Sequence, residues 1–535
     1  MDHANIIRTE FLYGDRLVSC FAERPKNLDD LLRSIARRYP KNQAFVEDGN
    51  IFTYRQLDEA AERIAANLRQ AGISPGERVV LFIGNRIEFV LTIFGALRMG
   101  AIVVPIGIRQ TSPELTYMIN QCGATAVIYE AALIARLPAL KDIPSVLRLW
   151  TIEGNDSVPG EEFQDLLEPI APRAEQLDID EQSAAFIMYT SGTTGRPKGA
   201  MLSHLGFFHT AKNYERSFGY CSQSRMILAI PGSHISGLLA GIFVMIQVGG
   251  CTVIMREFKT RPFLQLIEKE RITCSVMVPA MYNLCILEPD LKQYDLSTWT
   301  LGHFGGAAMP EVTIERLAQA VPQMRLYNGF GATETTSAVT LTTSSETVQF
   351  PESVGKVLDC IEVKVLDELG REVLPGLEGE LWVRSPGNAI GYWNNPEATR
   401  EGFVGGYWRS GDIGSIDEHG RMRVLDRKKD MINRGGYKVY SVEVENVLQR
   451  FPGVIEAAVV PVPCPILGER VRAVIYASQA VTLAELREFC SEHLADYKWP
   501  DQLIQFDAPL PRNLNGKMSK QALRKQLSEL DQVPS

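Results

Sequence analysis

The chain has 535 residues, 45% hydrophobic and 22% charged, the balance of a globular protein with room for two to four domains. Its 55 Lys and Arg against 64 Asp and Glu leave a net charge of −9, which argues against nucleic acid as a main partner, because binding phosphate backbones takes clustered cations. Nine scattered cysteines, none in C-x-x-C spacing, speak against a zinc site or disulfide framework and read as reduced thiols of a cytoplasmic protein. In chain order, the start lacks a basic region followed by an apolar run, so no signal peptide is expected. Residues 53–70 predict a helix, with Thr53 and Gln56 as a capping box, Leu57, Ala61, Ile64 and Leu68 on one face, and Gly72 as the stop. "RVVLFI" from Arg78 predicts a buried strand. Residues 89–108 are interrupted by Arg98 and Gly100, which predicts a helix and then a buried strand. Residues 238–248 are too short to span a bilayer, so no transmembrane segment is expected.

Helical and strand patterns go on alternating through "ATAVIY", "AAFIMY", "RMILAI", "CTVIM" and "CSVMV". Near-continuous apolar strands between helices predict parallel sheets covered on both faces. Residues 353–424 are richer in Gly and Pro, with short alternating strands such as "EVKVLD" and "GELWVR", and predict a small antiparallel, barrel-like subdomain. After "DRKKD" at 426–430 the pattern becomes a compact α+β unit of about a hundred residues. The expected class is therefore α/β: a large N-terminal region, 1–428, with two doubly wound mixed or parallel sheets and the small barrel-like part, then a small mobile α+β domain, 429–535.

"YTSGTTGRPKG", Tyr189 to Gly199, follows the strand "AAFIMY" and so leaves a strand's carboxyl end, where α/β sheets bind ligands. Gly192 and Gly195 let backbone N–H groups approach an anion closely. Thr190, Ser191, Thr193 and Thr194 add hydroxyls, and Lys198 adds positive charge. The order is not the Walker G-x-x-x-x-G-K-[ST], which disfavours a P-loop NTPase. By composition alone a solvent-exposed Gly/Ser/Thr turn fits as well.

The whole undecapeptide closely resembles the signature of the adenylate-forming superfamily: acyl-CoA synthetases, aryl-CoA ligases, luciferases and peptide-synthetase adenylation domains. The resemblance extends over almost the full chain. It implies that the loop grips the β and γ phosphates of ATP. In "NGFGATET" it implies Thr333 on the α-phosphate, Glu334 as Mg²⁺ ligand, Phe330 stacked on adenine where the family usually has Tyr, and Asn328 at adenine's amino edge. In "FGGAAMP" it implies that Gly305, Gly306 and Ala307 let adenine and the acyl group approach the backbone, with Gly329 also small beside the pocket. Asp412 in "YWRSGDIG" is the implied ribose anchor, and Arg427 a second ribose or phosphate contact. His234 in "PGSHISG" is the implied gate beside the acyl pocket. Lys517 in "PRNLNGKMSK" is the implied bridge between substrate carboxylate and α-phosphate. Lys429 stands at the hinge, where Asp is frequent, and Gly435 and Gly436 belong to the loop implied to line the thiol channel.

The resemblance implies an acid–thiol ligase that converts a carboxylic acid, ATP and coenzyme A into acyl-CoA, AMP and pyrophosphate, with Mg²⁺. Apolar or small residues around His234, Ile235, Leu238, Gly305 and Gly329 favour a fatty or aryl acid. CoA is the expected acceptor because no carrier domain follows Lys517. The alternative is an adenylation enzyme that loads the phosphopantetheine of a separate carrier protein. A luciferase-like oxygenase, a kinase releasing ADP and a non-catalytic nucleotide-binding module are the remaining readings, and a homodimer is left open.

Overall fold

The computed structural model describes residues 6–155, 157–169, 177–190, 196–307, 309–512 and 518–530. The first sheet has seven strands in the order Lys198–Ser203, Ala184–Thr190, Ile102–Pro105, Arg78–Phe82, Ala126–Glu130, Arg148–Ile152 and Glu161–Glu162. All neighbours are parallel except the first pair. Its apolar runs feed two cores, because successive side chains leave opposite faces. Val79, Leu81 and Val103 enter one cluster, and Val80, Phe82 and Val104 the other.

The covering helices form as expected. Helix Tyr54–Gln70 starts at Thr53, whose hydroxyl accepts from the Gln56 N–H while the Gln56 side chain accepts from the Thr53 N–H. Its face of Leu57, Ala61, Ile64 and Leu68 is fully buried. Helix Ile87–Arg98 is buried all round. Gly95 lets the two helices touch, since a Cβ there would lie 2.3 Å from Ile64 Cγ2. Arg98 is paired inside the protein with Asp29 at 2.6 Å. No helix among the described residues is long and apolar enough to cross a membrane. All nine cysteines are free thiols, and seven are buried.

The second sheet carries the expected small barrel-like part within its own ladder. Strands Gln43–Glu47, Cys251–Ile254, Arg225–Leu228, Cys274–Met277, Leu301–Gly305 and Arg325–Ala332 are parallel, with Asn50–Thr53 antiparallel at the outer edge. Ser337–Leu341, Ser353–Val357, Arg421–Arg427, Tyr407–Ile416, Gly379–Arg384 and Glu362–Leu366 then continue the same hydrogen-bonded ladder antiparallel. The barrel-like part is therefore the curled end of one large sheet. Register shifts beside Gly331, Gly355 and Gly414 mark the bends, the usual role of bulges. At Gly331 a Cβ would fall 1.9 Å from the Ser337 carbonyl oxygen, so only glycine fits.

The chain after Arg427 forms its own sheet from the hairpins Ile432–Arg434/Tyr437–Val439 and Val454–Cys464/Gly468–Ala477, with Gln502–Phe506 parallel at the edge. Helices Ser441–Leu448, Leu483–Ser491 and Lys520–Leu530 cover it. A hairpin with no counterpart in the sequence reading, Ile7–Leu12/Arg16–Phe21, packs Leu12, Val18 and Cys20 on Leu205. Gly331→Ala should cost about 1–3 kcal/mol through overpacking, read as a lower denaturant midpoint; an unchanged midpoint would show that the strands have room there.

Candidate active site

Thr190 and Lys198, the near and far feet of the glycine-rich motif, face each other in register at the ends of antiparallel strands. The far foot is also fixed by Tyr117, whose hydroxyl donates to the Pro197 carbonyl at 3.2 Å. Ser191, Gly192, Thr193, Thr194 and Gly195 lie outside the described residues, as does Lys517.

Glu334 stands opposite, in the turn Thr333–Thr335 that follows strand Arg325–Ala332. Its Oε1 accepts from Thr190 Oγ1 at 3.2 Å and from the Tyr392 hydroxyl at 3.0 Å, leaving Oε2 outside both bonds. The Lys198 ammonium lies 5.0 Å from the centre of the Tyr392 ring, within cation–π range. Thr336 and Ser337 hold positive φ of 50° and 93°, a conformation costly for non-glycine residues and frequent at functional sites. It is held by Thr336 Oγ1 donating to Gly387 O at 2.6 Å and by Thr335 Oγ1 donating to Ser337 O at 2.8 Å. Tyr392 was not legible in the sequence: it lies 58 positions from Glu334, with no motif spacing to connect them.

Asp412 is 2% exposed. Its Oδ1 pairs with Arg427 Nε at 2.6 Å, across strands in direct register. Its Oδ2 is buried with no hydrogen-bond partner. Burial pushes this carboxyl up to about 6, with Arg427 drawing it down and Glu334 and Asp426 adding to the rise. An orphaned buried acceptor costs about 1–3 kcal/mol and fits a ligand that brings hydroxyl donors, as a ribose does.

Asn328 is buried, and its Nδ2 donates to Ser353 O at 3.0 Å. The amide oxygen is thereby turned away, an acceptor suited to an amino group. Half-buried Phe330 packs with Val339, Val383 and Trp408. Gly305 lies so close to the neighbouring strand that a Cβ would meet Gly329 O at 2.7 Å; Gly306 has φ +77° and is exposed with Ala307. His234 is half-buried in the turn before a helix wound with π-type turns, Ser236–Phe243, and the Leu238 N–H donates to the His234 carbonyl at 2.8 Å. Such turns recur at functional sites.

The expected hinge residue and glycines follow Arg427 in the chain. Lys429 is exposed in the turn between Arg421–Arg427 and Ile432–Arg434, and Gly435 and Gly436 are exposed, with the Gly435 N–H donating to Leu467 O at 2.7 Å. Glu334 Oε2, outside the bonds to Thr190 and Tyr392, is a carboxylate oxygen of the kind that suits Mg²⁺ together with phosphate oxygens.

At the carboxyl ends of two sheets stand a glutamate pinned by Thr190 and Tyr392 and a buried aspartate with an unpartnered oxygen, in a fold shared with adenylate-forming enzymes. Residues 32–393 match the family model described as AMP-binding enzyme, and residues 443–517 match the AMP-binding enzyme C-terminal domain. The chain belongs to the AMP-binding enzyme family. A long-chain-fatty-acid–CoA ligase of Mycobacterium tuberculosis is 34% identical over 510 residues, covering 94% of this chain and 99% of its own. A solved Mycobacterium tuberculosis fatty acyl CoA synthetase is 31% identical, covers 94% and 99%, and superposes with a TM-score of 0.75. An o-succinylbenzoate coenzyme A synthetase of Bacillus subtilis, solved with ATP and magnesium ion, is 26% identical, covers 93% and 99%, and has a TM-score of 0.81.

If Asp412 takes ribose hydroxyls, which donate to its ionised form, AMP affinity should weaken as pH falls through about 6, by at most about tenfold per unit. For folding, the raised value means that the group's contribution is present below 3.8 and lost as pH rises through about 6. Calorimetry of AMP binding from acid to neutral pH, with Asp412→Asn as control, checks this. A profile that is flat, or that survives in the variant, contradicts it.

Proposed function

We propose that this chain is a cytoplasmic acid–thiol ligase that activates a fatty or aryl carboxylic acid with ATP and passes the acyl group to coenzyme A. The observation that carries the reading is Glu334, bound between Thr190 and Tyr392 and close enough to raise the buried Asp412 carboxyl. The neighbouring Thr190 and Tyr392 hydroxyls and the Lys198 ammonium beside the Tyr392 ring support the same reading.

A carboxylate resists attack by a thiol because oxide is a poor leaving group. Conversion to a mixed anhydride with AMP removes the obstacle: the carboxylate attacks the α-phosphorus, and the bond to pyrophosphate breaks. Mg²⁺, when bound by Glu334 and phosphate oxygens, supplies charge neutralisation on the leaving pyrophosphate. Lys198 and the hydroxyl loop aim positive charge and donors at the same place. Thr333 holds the α-phosphate, Asp412 and Arg427 hold the ribose, and Asn328 and Phe330 hold adenine. Lys517 draws carboxylate and α-phosphate together. His234 gates the acyl pocket.

The thiolate of CoA then attacks the acyl carbonyl and AMP leaves. In our reading the chain divides at 428/429, and the C-terminal part swivels at Lys429, withdrawing Lys517 and presenting Gly435 and Gly436. The motion gates the reaction without energising it.

A panel of fatty and aryl acids, scored for pyrophosphate release with and without CoA and for thioester formed, tests the proposal. AMP, pyrophosphate and acyl-CoA in equal amounts are expected. Release of ADP, or pyrophosphate release with no thioester to CoA, contradicts it, the second outcome favouring a carrier-protein acceptor. Lys517→Ala should lower adenylation about 100-fold or more, in line with loss of an electrostatic stabiliser, while sparing thioester formation from supplied acyl-adenylate. Equal loss of both steps would remove its assigned role.

A further inference from the structure

The hairpin Ile7–Leu12/Arg16–Phe21 stands ahead of residue 32, where the match to the AMP-binding enzyme model begins, and it adds no strand to either large sheet. Two strands alone are marginal in water, so its form depends on what it rests against. Its turn is docked by Tyr13, whose N–H donates to Gln182 Oε1 at 2.6 Å and whose hydroxyl meets Ser203 Oγ at 2.7 Å. Tyr13 holds a φ of 56°, a costly conformation for a residue other than glycine. Arg16, opposite Leu12 in the ladder, turns a long cation inward, and its side chain is only 3% exposed. The charge faces Asp15 at 3.1 Å, a mostly exposed carboxylate. The rings of Tyr13 and Phe403 have their centres 4.9 and 5.6 Å from the guanidinium, within cation–π range.

The two terminal nitrogens of Arg16 go to consecutive carbonyls. Nη1 donates to Ala389 O and Nη2 to Ile390 O, each at 2.9 Å, a planar fork that a lysine cannot reproduce. The segment gripped in this way is the one that holds Glu334. The Ala389 N–H donates to the Glu334 backbone carbonyl at 2.8 Å. Three residues on, the Tyr392 hydroxyl donates to the Glu334 carboxylate at 3.0 Å. Gly387 O accepts from Thr336 Oγ1 at 2.6 Å, which fixes the turn just after Glu334. The segment is also tied to strand Lys198–Ser203, since the Ile390 N–H donates to Met201 O and the Met201 N–H to Gly391 O, each at 2.9 Å. Ala389 is thus held to Glu334 through its N–H and to Arg16 through its carbonyl.

Resting on the ligase reading above, in which Glu334 binds Mg²⁺, we propose that Arg16 is a positioning residue for that carboxylate, brought to it by the N-terminal hairpin. The guanidinium fixes the path of Ala389 and Ile390. That path sets the Glu334 backbone through the Ala389 N–H and the Glu334 side chain through Tyr392. The carboxylate then presents Oε2, its oxygen outside both hydrogen bonds, in one orientation. Arg16 acts through residues 389–392 and not by contact with metal or nucleotide. Groups that orient a metal-binding carboxylate in this way change metal affinity by about 10–100-fold when removed.

The test uses the full chain without any acid substrate and measures ATP affinity by calorimetry, once with Mg²⁺ and once in excess chelator. The readout is the gain in affinity that Mg²⁺ brings. Arg16→Ala should reduce that gain about tenfold. Arg16→Lys keeps the charge but loses the fork, so it should reduce the gain by a smaller factor, and it alone decides if the alanine variant does not fold. Glu334→Gln should reduce the gain at least as far as Arg16→Ala does. Arg16→Ala added to Glu334→Gln should then cause no further loss, as expected when one residue acts through the other. A hairpin that served stability alone would lower the melting temperature and leave the gain unchanged in both Arg16 variants. That result overturns the proposal and leaves the ligase reading standing, as does a full additional loss in the double variant. A wild type that binds no ATP, or binds it equally with and without Mg²⁺, overturns the ligase reading itself.

Discussion

The 3.2 Å hydrogen bond from Thr190 to Glu334 joins the two sheets at their carboxyl ends. Thr190 closes a strand of the first sheet, and Glu334 follows a strand of the second. Segment 390–393 strengthens the join by running along the edge strand Lys198–Ser203 and placing the Tyr392 hydroxyl on Glu334. Hydrogen bonds to charged groups contribute about 1.5–3 kcal/mol each. Their larger effect is geometric. They fix one carboxylate between the Thr190 and Tyr392 hydroxyls at the place where open α/β sheets bind ligands.

The junction between the large sheet and the C-terminal unit has a different character. Asp426, the penultimate residue of its strand, accepts from both the N–H and the hydroxyl of Ser441, each at 2.6 Å. Lys520 reaches the same hydroxyl and pairs with buried Glu445 at 2.7 Å, while Glu445 is pushed up to about 7 by burial. Further out, Lys438 meets Glu368 at 3.0 Å and Arg450 meets Glu311 at 2.9 Å. Exposed ion pairs of this kind contribute about 0–1 kcal/mol. Such pairs break and reform at low cost. Asp426 and Ser441 thus tie the last strand of the large sheet to the first helix of the C-terminal unit.

The helices and parallel strands were legible because their signal is local. The Thr53 and Gln56 cap and the Leu57, Ala61, Ile64, Leu68 face lie within single turns of one another. The phosphate-loop and "NGFGATET" motifs were legible as contiguous strings, and the structure sets Thr190 and Glu334 against each other. The antiparallel strands were recognised, but their ladder with the parallel sheet was hidden. That continuity depends on backbone hydrogen bonds and on close approaches at Gly331 and Gly355, which carry no residue pattern. Tyr392 was missed for a related reason: what distinguishes it is its neighbour in space, the Glu334 carboxylate.

The central claim is that the acid is activated by forming a bond from its own carboxyl oxygen to the α-phosphorus. A substrate acid labelled with heavy oxygen in both carboxyl positions tests this most directly, with mass analysis of the released nucleotide after a single turnover. One labelled oxygen in the phosphate of AMP, and the other in the acyl-CoA carbonyl, is expected. Unlabelled AMP, with the heavy oxygen retained in the acid or found in inorganic phosphate, would contradict it.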